Sequence, residues 1–111
     1  MGWIAMAIEL ETTDVLPPLH PGEVLREEFL VPLGLSAGAV ARAVGVPRTR
    51  IERIVAEDIG ISTDTALRLG RYLGTTPDLW LNLQQRFELE TLRAEVGGEI
   101  ERIAPLVREA A

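Results

Sequence analysis

The stretch SAGAVARAVGVPRTRIERIV, residues 36–55, decides the fold. Counting Ala37 as the first position, Val40, Ala41, Val44, Gly45, Val46, Ile51 and Ile54 fall at steps 4, 5, 8, 9, 10, 15 and 18, the spacing of a helix-turn-helix. Two short helices that cross steeply need a small residue, here Ala41, where their axes approach. Gly45 accepts the left-handed conformation of the turn without steric cost. The apolar set forms a minicore that fixes the angle of the pair. An ordinary αα-hairpin that never meets nucleic acid also places small residues four apart, so the outward side of the second helix must distinguish the two.

That side carries its charges in an unfavourable order. In VPRTRIERIVAEDIG, residues 46–60, Arg48, Arg50 and Arg53 crowd the positive N-terminal end of a helix while Glu57 and Asp58 lie at its negative end. Each misplacement costs roughly 0.3 to 1 kcal/mol. Phosphates beside the arginines reverse that cost. Entering a major groove N-terminal end first, the helix brings Arg48, Thr49 and Arg50 to base edges or nearby phosphates. A bidentate arginine on guanine contributes about 1 to 3 kcal/mol of discrimination, and the spacing leaves open which arginine does so. Arg42, on the outer side of the preceding helix, is either a phosphate contact or a solvated surface arginine. Arg68 and Arg71 read as surface charges. Glu57 and Asp58 have no role toward nucleic acid; they sit past the groove or lower affinity.

Composition bounds the rest. A chain of 111 residues, 47% hydrophobic with its prolines and glycines dispersed, fits one domain. The formal net charge of −6 argues against nucleic acid when taken as a sum. Between Arg42 and Arg53, however, four arginines oppose only Glu52, a local balance of 4 − 1 = +3. An acidic body can carry a basic edge. The chain has no cysteine, which excludes disulfides and cysteine-ligated zinc. His20 has no second histidine to join it, so a turn or capping role ahead of Pro21 is expected and no metal. Glu27 and Glu28 do not share a helix face, and no nucleophile with its base or phosphate-binding loop occurs; neither enzymatic activity nor a cofactor is expected. The start MGWIAMAIELE lacks a basic segment and meets Glu9 too soon for a signal peptide or membrane span, so the expected location is cytoplasmic, with no membrane partner.

Helix signals recur from Pro21 onward and predict an all-α body. Residues 1–19, ending in LPPL, form a flexible arm; 20–96 are the helix-turn-helix domain; 97–111 are a C-terminal helical extension. The first helix runs from 21 to about 30 with Leu25 and Phe29 inward, and Pro32 and Gly34 end it. Ser36 caps the second helix and Pro47 opens the third. The fourth spans about 63–73 behind a serine or threonine cap, with Ala66, Leu69 and Leu73 inward and Gly74 as its stop. Thr76 caps a fifth, to about 95, with two apolar rows: Trp80, Leu83 and Phe87, then Leu81, Leu89, Leu92 and Val96. One row serves the core. The surplus row points to a homodimer with Leu81, Leu89 and Leu92 in or near the contact, consistent with two recognition helices about 34 Å apart on a duplex. Gly97 and Gly98 interrupt the fifth helix, and Pro105 must kink or break a last amphipathic stretch.

With HPGEVLREEFLVPLGLS before the helix-turn-helix and GISTDTALRLGRYLGTTPDLWLNLQQRFELE after it, the sequence resembles the HigA-family antitoxins, within the phage-repressor-like XRE class. The resemblance covers about residues 19 to 93. It implies a dimeric five-helix domain that binds its own operator and neutralises a RelE-like toxin, a ribosome-dependent mRNA endonuclease. Carried over by position, it assigns DNA contact to Arg48, Thr49, Arg50 and Arg53. Two departures reduce the implied affinity: Ala37 where the family often has glutamine, and EDIG where it has a basic residue after the third helix. The expectation is weaker operator binding, or dependence on the toxin to strengthen it. Two other functions stay open: a stand-alone transcriptional regulator of the same fold, and an interaction module with weakened DNA binding.

Overall fold

The structure, a computed structural model, describes residues 17–108. Five helices and no strand occur among them. The first, α1, is continuous but changes pitch: α-helical over Pro21–Val24, π-helical over Leu25–Leu30 and α-helical again over Val31–Leu33. The remaining four are α2 (Ala37–Val44), α3 (Arg48–Val55), α4 (Thr63–Leu73) and α5 (Pro77–Glu101).

Local chemistry sets most boundaries. The hydroxyls of Ser36, Ser62 and Thr76 accept from the backbone N–H three residues on, at 3.0, 3.2 and 3.2 Å, which starts α2, α4 and α5. Gly45 closes α2 at φ 77° and Gly74 closes α4 at φ 75°. The core then follows the helix-turn-helix spacing: Val40, Ala41, Val44, Ile51 and Ile54 are buried, joined by Val24, Leu25, Leu30, Ile61, Ala66, Leu69 and Trp80. Trp80 lies at the centre, its indole N–H donating to the Thr75 hydroxyl at 2.8 Å and its ring tilted against Phe29 at 5.5 Å.

Two expected stops do not occur. Pro32 lies inside α1, because the wide π turn ahead of it, with the Val31 N–H bonded to the Arg26 carbonyl five residues back, makes room where a tight α turn would clash. Gly34, at φ 64°, is the stop that holds, as expected, and it ends the helix at Leu33. The same π turn buries Leu30 beside Leu25 and leaves Phe29 half-buried. Gly97 and Gly98 likewise fail to interrupt α5: each costs only about 1 kcal/mol, and Leu92, Arg93, Ala94 and Glu95 ahead of them are good helix formers. The separate helix expected beyond them does not occur among the described residues: residues 104–108 are exposed and not helical. The arm expected over 1–19 lies outside the described residues except for its last three positions.

His20 performs the capping role expected of it. Its Nδ1 accepts from the Gly22 N–H at 2.8 Å, and its ring stands edge-on to Phe87 of α5 at 4.7 Å. Gly22 is obligatory for a different reason: a Cβ there would sit 1.8 Å from the Ile54 carbonyl oxygen, so the backbone of α1 rests directly on the end of α3. An Nδ1 that accepts carries no proton. Burial lowers the His20 pKa, with Glu57 opposing and Arg26 assisting. Because the folded value lies below the unfolded value of about 6.5, the unfolded chain takes up the proton first. Stability contributed by His20 is therefore complete above about pH 6.5 and declines as pH falls toward the folded pKa. His20→Asn keeps a capping acceptor without the titration; urea unfolding from pH 7.5 downward should show a shallower loss of stability below pH 6.5 in the variant than in the parent.

Candidate nucleic-acid interface

The third helix begins at Arg48 behind Pro47, which offers no side-chain cap. Ile51 and Ile54 anchor its inner side, and this orientation leaves Arg48, Thr49, Glu52 and Arg53 exposed. Arg48 and Arg42 converge from adjacent helices above Gly38, where a Cβ would lie 3.2 Å from the Arg48 Cδ and 3.8 Å from an Arg42 Nη1. The absence of a side chain at Gly38 thus lets the Arg48 stem cross α2. Arg48 pairs with Glu52 on its own helix at 3.3 Å and stays 71% exposed. Arg42 and Arg53 form no ion pair among the described residues. These three arginines, with Thr49, form an exposed guanidinium-bearing edge.

Arg50 differs. Its Nη1 donates to Asp64 Oδ2 at 2.9 Å, and its side chain is 38% exposed. Asp64 also accepts from Arg68 Nε, at 3.1 Å to Oδ1 and 3.0 Å to Oδ2. Arg68 in turn donates from Nη1 to the Val44 carbonyl at 2.7 Å, with the Gly45 carbonyl at 3.4 Å. Arg68 is exposed, as expected of a surface charge, but it also binds carbonyls at the end of α2, where helix geometry leaves acceptors unpaired and the dipole favours a cation. Arg68 is 24 residues from Val44 in sequence, and helical periodicity carries no sign of that pairing.

The other end of α3 explains the misplaced acids. Arg26, from α1, donates to the Val55 carbonyl and pairs with Glu57 at 3.2 Å. It also meets Glu27 at 2.9 Å, and these partners, Glu27 first, hold its guanidinium charged. Glu57 itself takes φ 65°, the left-handed conformation that glycine usually supplies after a helix. Arg53, expected at the N-terminal end, lies instead in the last turn of α3, because the helix stops at Val55, and Arg26 adds a second cation there from another helix. Glu57 and Asp58 are both exposed, and of the two Glu57 is the one that pairs with Arg26. The loop beyond is fixed by Gln84 of α5, whose Oε1 accepts from the Ile61 N–H at 2.8 Å. Gly60 passes so close that a Cβ would lie 2.5 Å from that oxygen. Gln84 had no role assigned from the sequence; its polar side chain among the apolar rows of α5 was the only local sign.

On α5, Leu89 and Leu92 are 50% and 53% exposed, while Leu81 is half-buried and packs against the core. Among the described residues no helix is long and apolar enough to cross a membrane, and no cluster of three or more potential ligands occurs that would hold a metal ion.

Comparison with known proteins agrees with this architecture. A helix-turn-helix family profile matches residues 25–80. Virulence-associated protein I of Dichelobacter nodosus is 53% identical over 75 residues, which cover 68% of this chain and 69% of that protein. Antitoxin HigA-1 of Vibrio cholerae is 34% identical over 89 residues, 80% of this chain and 84% of the relative. The structure of Pseudomonas aeruginosa antitoxin HigA with the higBA promoter superposes with a TM-score of 0.78 at 46% identity, covering 81% of this chain and 99% of that one. With the fold, the turn and the flanking helices all shared, the chain belongs to the HigA family of helix-turn-helix antitoxins.

Proposed function

We propose that the protein is a DNA-binding antitoxin that represses its own promoter and neutralises a RelE-like, mRNA-cleaving toxin. The observation that carries the DNA part is the exposed edge where Arg48, Thr49 and Arg53 of α3 meet Arg42 of α2, on a chain whose net charge is −6. Cations gathered on one edge of an acidic body suit the docking of an anion there. The solved Pseudomonas aeruginosa relative was captured with promoter DNA, which supports the same partner here. In this reading Arg48, Thr49, Arg50 and Arg53 enter the major groove, and Arg42 holds a flanking phosphate. Ala37 offers no phosphate contact, and the loop after α3 adds no free cation, so affinity rests on few charges. Salt dependence should be correspondingly steep only in proportion to those contacts.

Titration of the chain's own promoter fragment at fixed salt tests this. Arg48→Ala with Arg50→Ala should weaken binding at least tenfold, each lost contact costing about 1 to 3 kcal/mol. Unchanged affinity in the double variant would refute the DNA assignment.

The reading includes a homodimer, since one recognition helix reads only half a site. Leu89 and Leu92, exposed on α5, lie in or near the proposed contact, with Leu81 at its core-facing margin. Sedimentation equilibrium should give twice the 12.2 kDa chain mass, and Leu89→Glu with Leu92→Glu should shift it toward the monomer. A monomeric parent at high concentration rules the contact out.

For the toxin, the name of the Vibrio cholerae relative supplies the support. Expression of a small basic protein encoded beside this gene should arrest growth, and coexpression of this chain should restore it. Failure to restore growth leaves a stand-alone regulator.

A further inference from the structure

Asp64 stands where a surface built for DNA should have no anion. It lies in the first turn of α4, exposed, beside the arginines of α3. Three linked contacts describe its setting: Arg68 binds the Val44 carbonyl at the helix-turn-helix corner, Arg68 grips Asp64, and Asp64 holds Arg50 at 2.9 Å. The chain of bonds starts on the backbone of the turn and ends on a side chain of the recognition helix. Arg68 foremost, and Arg50 after it, keep the Asp64 carboxyl below the usual carboxylate range, so it is ionised at neutral pH.

Building on the operator reading above, we propose that Asp64 is a positioning residue that orients Arg50 to read a guanine, which makes Arg50 the specificity-determining side chain of the interface. Guanine is recognised by two parallel N–H donors directed at O6 and N7, a geometry that tolerates little misalignment. A guanidinium has five donors, and Asp64 takes one, leaving the fork available. Fixing the side chain before contact removes the ordering cost from the binding step. Arg48 shows the contrast. It is 71% exposed, against 38% for Arg50, and its partner Glu52 belongs to the same helix. That arrangement suits a mobile phosphate contact, for which direction matters less. Exposed ion pairs contribute little to stability, so folding alone does not account for three residues from α3 and α4 converging on the turn.

The test separates positioning from simple charge. The full-length protein is presented with a randomised duplex DNA library at fixed salt, and base preference is read at every position for the parent, Asp64→Asn, Asp64→Glu and Arg50→Lys. One guanine position per half-site should lose about tenfold of its preference in Asp64→Asn and in Arg50→Lys alike, with partial recovery in Asp64→Glu. Affinity for the unselected library should stay level or rise in Asp64→Asn, because an anion has been removed. Arg68→Met, which detaches Asp64 from the turn, should reproduce the loss at the same position. Retention of the parental preference in Asp64→Asn overturns the inference, as does a uniform gain in affinity with the preference profile intact. A parent that selects no sequence would overturn the operator reading itself; selection by the parent with an unaltered Asp64→Asn profile overturns this inference alone.

Discussion

Both helices of the helix-turn-helix end on carbonyls bound by an arginine from outside the pair. Arg68 of α4 holds the end of α2 at Val44, and Arg26 of α1 holds the end of α3 at Val55. A helix leaves its last carbonyls without internal partners and concentrates partial negative charge there. In α3 the N-terminal arginines Arg48 and Arg50 oppose the dipole, whereas Arg53 lies in the last turn, where a cation is favourable, and Glu57 and Asp58 fall beyond the helix end at Val55. The clamp at Val55, the seat of Gly22 on the Ile54 carbonyl and the pairing of Glu57 all meet at the same end of that helix. Fixing one end of an eight-residue helix through its backbone leaves its other end free for side chains that would destabilise an isolated helix. The position of the guanidinium edge is therefore set from α1 and α4, neither of which was expected to touch DNA in the parts concerned.

The arginines divide by these contacts. Arg26 and Arg68 serve the backbone; Arg42, Arg48 and Arg53 face outward; Arg50 joins the two groups through Asp64. Counting charges along residues 42–53 finds the outward group but misses its supports, since Arg26 and Arg68 fall outside that window. An acidic chain can in this way present a basic edge without a basic domain. Arg26 also stands beside Glu57, which softens the local repulsion that a duplex would meet at the end of α3.

What was legible in the sequence follows from the range of the interactions. Ser36, Thr76, Gly45 and Gly74 act within four residues of themselves, and each sits where a cap or a stop was expected. The apolar spacing of Val40, Val44, Ile51 and Ile54 is a property of one helix at a time, and all four are buried. Pro32 and the Gly97–Gly98 pair misled because propensity is a local average: a π turn relieved the first, and flanking helix formers outweighed the second. The site was less legible than the fold. Arg26 with Val55, Arg68 with Val44 and Gln84 with Ile61 join residues 29, 24 and 23 apart, and no periodicity specifies which side chain crosses to which carbonyl or amide. His20 was readable because its partner Gly22 is two residues away.

Helix α5 extends the same logic from one chain to two. Its first half packs through Trp80, Leu81, Leu83 and Phe87, yet no residue beyond Trp80 is fully buried and the helix continues to Glu101. Twenty-five residues span about 37 Å at 1.5 Å per residue, which helps stretch the molecule to 55 Å along one axis and 29 Å across. Pairs one turn apart, such as Gln84 with Glu88 and Arg86 with Glu90, add only about 0.2 to 0.5 kcal/mol each. Most helix stability in proteins comes from packing an apolar face. Leu89, Leu92 and Ile100 supply such a face with nothing from the described chain upon it. In the homodimer proposed above, a second copy across these residues would cover that face and place a pair of α5 helices between two helix-turn-helix units. The distance between the two copies of α3 would then depend on how the two copies of α5 cross, which would set operator spacing at leucines far from any base.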